Sequence, residues 1–68
     1  MKHLDPHTAR AQGLHEFTAK PGRKVPKAAD MDARRYAAAK RWRLVGFYDE
    51  TDKLGMVTRR YWAEALAR

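Results

Sequence analysis

Apolar residues are thinly scattered through the first 29 positions and become regular only after Asp30. In the run from Asp30 to Trp42, DMDARRYAAAKRW, Ala33, Ala37, Ala38 and Ala39 are strong helix formers. Asp30 and Asp32 suit a helix start, where a carboxylate can cap free N–H groups and complement the dipole. The pattern predicts a helix that Trp42 closes. Arg43 to Tyr48 then reads as a strand, with Leu44, Gly46 and Tyr48 on one face and Val45 and Phe47 on the other. Asp49 to Lys53 is polar and turn-like, Gly55 can supply a positive φ, and Leu54, Met56 and Val57 return as a short second strand. Thr58 is placed to cap a last helix, because Tyr61 and Ala65, like Trp62 and Leu66, stand four apart and form one apolar stripe.

Upstream, Asp5 and Pro6 form a helix opening and Gly13 a natural stop. That short helix has almost no apolar stripe, and Leu14 and Phe17 are expected to dock together on the core or on a partner. Thr18 to Ala29 reads as a linker broken by Pro21, Gly22 and Pro26. The expected fold is therefore α+β: a small single domain with a helix–β-hairpin–helix core over residues 30–68. A basic, partly disordered N-terminal arm, residues 1–29, precedes it and combines the short helix with the Pro/Gly linker. Such a core lies near the ~40-residue lower limit for folding alone.

Composition narrows the function classes. The chain of 68 residues has no Cys, so neither a disulfide nor a thiolate metal site adds support. It lacks an apolar stretch of signal-peptide or membrane-span length, and the expectation is a soluble, cytoplasmic monomer with no membrane contact. Ser, Asn and Ile are missing while Ala and Arg are abundant, which suggests a G+C-rich genome. With no Ser or Cys nucleophile, and four Thr residues mainly at turn or cap positions, no enzymatic activity is expected and no catalytic residue is assigned. His3, His7 and His15 lie in polar sequence, and Pro6 interrupts the His3–His7 spacing, so solvated side chains explain them better than metal ligands do. Asp49, Glu50 and Asp52 lack the ligand spacing of a calcium loop. No metal and no cofactor is expected.

Charge is the informative feature. Lys and Arg total 15 against 8 Asp and Glu, a net charge of +7 that favours polyanions or an acidic protein surface. Lys20, Arg23, Lys24 and Lys27 form a basic linker; the bland reading is a solvated one, the functional reading a segment ordered by an anion. Arg34, Arg35, Lys40, Arg41, Arg43, Arg59 and Arg60 complete the candidate partner-binding set. Arginine suits planar, bidentate recognition of carboxylate or phosphate, and the two Arg-Arg pairs sit near expected helix starts, where cations oppose the dipole. Arg is also common in G+C-rich genomes, which is the bland account. Trp42, Tyr48, Tyr61 and Trp62 could stack on bases, but a chain this small needs most of them as core, leaving Tyr36 or Tyr48 as the exposed exception.

As a whole, through the basic arm, the run ARRYAAAKRWRLVGFYDE and the end LGMVTRRYWAEALAR, the chain resembles the small transcription regulators that lytic phages make against host RNA polymerase. The resemblance implies a protein of the infected bacterial cytoplasm that binds the polymerase, blocks sigma-dependent initiation and promotes terminator read-through, with possible contact to nucleic acid inside the complex. It assigns no residue roles. A second reading is a winged-helix or excisionase-like DNA-binding protein, with the Arg34–Arg43 segment in the major groove and the hairpin as wing. That reading needs a helix immediately before Asp30, where the linker stands. A third, an RNA-binding or ribosome-associated protein, rests on charge plus aromatics.

Overall fold

Two strands at the end of the chain, Trp42–Thr51 and Val57–Ala65, pair antiparallel as a long hairpin, and everything upstream is built onto its two edges and two faces. The computed structural model describes residues 1–19 and 22–67. In chain order the elements are β1 (Lys2–His3), α1 (Pro6–Ala11), β2 (His15–Thr18), α2 (Ala29–Ala39), β3 (Trp42–Thr51) and β4 (Val57–Ala65). They make a small, compact α+β domain with one mixed four-stranded sheet, in the order β1-β3-β4-β2, and two helices.

Residues 58–65, expected as a helix, are strand. Val57, Thr58, Tyr61 and Trp62 are β-branched or aromatic and favour the pleated backbone. Their period is two as readily as four. In a strand Tyr61 and Trp62 point to opposite faces, so each large ring receives its own cover. The hairpin tip lies later than expected, with Leu54 and Met56 in the turn instead of a strand: β3 runs to Thr51 opposite Val57, and Asp52 closes the turn by accepting from the Leu54 and Met56 amides at 2.8 and 3.0 Å. Gly55 there adopts φ 79°.

Residues 2–3 and 15–18, expected in an arm, are the two edge strands of the same sheet. β1 runs parallel to β3 at Gly46 and Phe47, and β2 runs antiparallel to β4 from Ala63 to Arg60. The short helix between them forms as its sequence suggests. Asp5 accepts from the Thr8 amide at 3.2 Å and from its hydroxyl, Pro6 opens the first turn, and Gly13 turns the chain at φ 70°. Leu14 and Phe17 do not dock together. Leu14 joins Leu4, Ala9, Trp62 and Tyr48 on the α1 face, whereas Phe17 stacks on Tyr61 beneath α2.

A bulge between Leu44 and Gly46 corrects the expected alternation in β3. Leu44 pairs with Ala63 and Phe47 with Tyr61, so Leu44 shares the Phe47 face instead of that of Gly46 and Tyr48. The other face carries Gly46 opposite Trp62. A Cβ at Gly46 would meet the Lys2 carbonyl oxygen at 2.5 Å, so β1 can lie this close only over a glycine.

Helix α2 begins at Ala29, one residue before the expected start, with Ala28 in the capping position and no side-chain cap. Ala29, Ala33 and Ala37, four apart, form its buried stripe, and small side chains let it lie close to the rings below. It ends at Ala39, so Trp42 opens β3 instead of closing the helix. Among the described residues, no helix is long and apolar enough to cross a membrane.

Candidate functional site

The eleven candidate cations divide by their partners. Three are committed within the fold. Arg59 is only 18% exposed, bonds Asp49 through two nitrogens at 2.7 and 2.9 Å, reaches Asp30 at 3.0 Å, and lies over the Phe47 ring at 4.3 Å. The Asp49 hydrogen bonds, above all, push its pKa further upward, and in return hold the Asp49 carboxyl below its ordinary range. Arg60 bonds Glu50 at 2.8 Å and Glu16 at 3.3 Å, and the Glu50 bond likewise raises its pKa. Arg43 pairs with Glu64 directly across the hairpin. These contacts join β4 to β3, β2 and α2. Arg59 and Arg60 are thereby mostly buried, whereas the Arg43 side chain stays 70% exposed.

Asp30 lies in the first turn of α2, as expected, but caps no amide there and accepts from the Tyr61 hydroxyl at 2.8 Å as well as from Arg59. Burial, and then the Asp30 charge, make the Tyr61 phenol harder to ionise.

Arg35 is loosely placed, with Asp32 at 3.9 Å and both side chains in solvent. Arg23, Lys24, Lys27, Arg34, Lys40 and Arg41 are exposed, and none is within 4 Å of a carboxylate among the described residues. Lys20 lies outside the described residues. The uncommitted cations therefore flank α2: three in the loop that leads into it, one on its outer surface, and two at its C-terminal end.

Aromatic side chains collect beneath that same C-terminal end. His15 and Trp42 stack at 4.4 Å with rings 8° from parallel. Phe17 lies 4.6 Å from Tyr36 and 6.3 Å from Trp42, and Tyr36 meets Trp42 edge-on at 6.5 Å. The Lys40 ammonium sits 5.6 Å above Tyr36, a ring that is 47% exposed. Trp62 and Tyr61 are core, as expected of most of the aromatics, while Trp42 and Tyr48 are half-buried. The His15–Trp42 pair had no signal in the sequence, because the two residues meet only when β2 and β3 flank β4.

Two concave regions border α2. A groove of about 490 Å³ runs between Phe17, Ala33, Tyr36 and Tyr61, and an open cleft of about 980 Å³ lies between Lys40, Arg41, Trp42 and residues 65–67. Among the described residues, no three His, Asp or Glu side chains are placed to hold a metal ion. Compared with known proteins, the chain matches no family model, no curated protein and no solved structure.

Proposed function

We propose that this chain is a non-enzymatic regulator of bacterial transcription that binds RNA polymerase through the uncommitted cations around α2. The observation that carries the reading is the division of charge. Arg59 and Arg60 are mostly buried in ion pairs and Arg43 faces Glu64, while Arg23, Lys24, Lys27, Arg34, Lys40 and Arg41 remain in solvent without an acidic partner among the described residues. Opposite charge on a partner speeds encounter and fixes register. The partner in this proposal comes from the resemblance of the sequence to phage regulators: host polymerase, with sigma-dependent initiation blocked and terminators read through. In this reading α2 docks on protein, and the basic loop before it reaches the nucleic-acid path of the enzyme.

The winged-helix reading has less support. A helix followed by a long hairpin is half of that architecture, but where its first helix should stand Gly22 bridges to Val57 and residues 23–28 are non-helical.

The test is binding of labelled protein to purified core polymerase at low and raised salt, beside a duplex DNA control. Polymerase binding that is tighter than duplex binding at both salt concentrations, and that Arg34→Glu with Lys40→Glu weakens at least about tenfold, supports the reading. Binding to duplex alone, falling steeply as salt rises, would replace it with the DNA-binding one.

A further inference from the structure

Arg41 has a positive φ of 60°, and it is the one described non-glycine residue that does. It follows α2 at the position where helices commonly end in a left-handed glycine. An L side chain there is strained, and glycine would remove that strain. Helix-dipole stabilisation explains a cation at this end, but Lys40, one residue earlier in right-handed geometry, supplies it without strain. The Arg41 backbone is held from both sides: its amide donates to Ala38 at 3.0 Å and its carbonyl accepts from Leu66 at 3.0 Å. The tail thus fixes the Arg41 backbone at the edge of the cleft beside Trp42.

We propose that this cleft binds one nucleotide of a single-stranded nucleic acid. Lys40 and Arg41 supply the phosphate contacts, Trp42 the ring on which a base stacks, and Leu66, 52% exposed, an apolar wall. The stack on His15 holds the Trp42 ring in place before any ligand arrives. Cations beside half-exposed aromatic rings are what binding of an unpaired strand requires, since each base has a π-face and each linkage a charge. A duplex hides its base faces and cannot use Trp42. The inference concerns the same basic surface proposed to meet the polymerase, but it is measured without polymerase, so either reading can fail alone.

The two tryptophans make the test direct. Trp62 is 0% exposed, so quenching of indole fluorescence by a thymidine 12-mer reports Trp42. The expected result is saturable quenching by the 12-mer, much weaker for a duplex of equal length and for thymidine monophosphate, and absent in Trp42→Phe. Arg41→Gly keeps both backbone bonds and relieves the strained φ, so it folds at least as well. It should still weaken 12-mer binding about tenfold. Unchanged affinity in Arg41→Gly, quenching that survives Trp42→Phe, or equal binding of the duplex or the monophosphate would each overturn the proposal.

Discussion

The indole nitrogen of Trp62 donates to the main-chain carbonyl of Leu4 across 2.7 Å, joining residues 58 positions apart in the chain. Both are buried, and the same Leu4 donates its amide to the Phe47 carbonyl at 2.9 Å. This one residue therefore carries the chain from the β1 edge onto the face that α1 covers. Trp62→Phe should leave the Leu4 carbonyl buried without a donor and cost about 1–3 kcal/mol beyond any packing loss. Urea denaturation checks this. Removing residues 1–4 should be at least as damaging, and an unchanged midpoint for that truncation would return the segment to the status of an arm.

Gly46→Ala tests the close approach of β1. The added methyl meets the Lys2 carbonyl oxygen and the Leu4 side chain, and backbone cannot yield as a flexible side-chain end does. A loss of about 1–3 kcal/mol is expected. Hydrogen exchange at the Leu4 amide should accelerate more than at the β3–β4 pairs. Ala at Gly13 meets no such obstacle, and its cost should come from the positive φ alone.

Two carboxylate-centred contacts set opposite pH limits. Asp49 has a folded pKa below its ordinary 3.8, chiefly because of the Arg59 hydrogen bonds. Its contribution is complete above the unfolded value and is lost as pH falls through 3.8 toward the lowered one. Thermal midpoints should therefore drop below about pH 4, and Asp49→Asn should lower the neutral-pH midpoint while flattening that drop. Tyr61 is shifted upward from 10.0, first by burial and then by Asp30. Above pH 10 the unfolded chain releases a proton that the folded one keeps, so stability declines as pH rises further. Phenolate absorbance should show a late-titrating tyrosine that Tyr61→Phe removes.

Elements set by local chemistry were legible in the sequence. The Asp5–Pro6 opening, the Gly13 stop, the alanine-rich helix and the strand after it all depend on neighbours within a few residues. The last strand was not, because Tyr61, Trp62, Ala65 and Leu66 satisfy a helical stripe as well as a pleat. What decides is the presence of a helix on each side of the sheet, a fact about residues 6–11 and 29–39. For the candidate surface, Arg34, Lys40 and Arg41 were visible as charge. That Arg59 and Arg60 are bound up with acids depended on knowing that their segment pairs with β3. Asp30 stands at the helix start as its sequence suggests, but its bonds to Arg59 and Tyr61 were hidden, since a capping residue and a cross-layer ligand have the same side chain.

The order β1-β3-β4-β2 places the first and second strands at opposite borders of a sheet whose middle is the last to be made. During synthesis, residues 2–18 are made well before residues 46–47 and 60–63, with which β1 and β2 pair. Helices α1 and α2 can flicker into being early, but neither has a surface to settle on until the hairpin closes. The sheet should thus form in one step dominated by distant pairings, once residues 57–65 have been made, and more slowly than a helical chain of equal length.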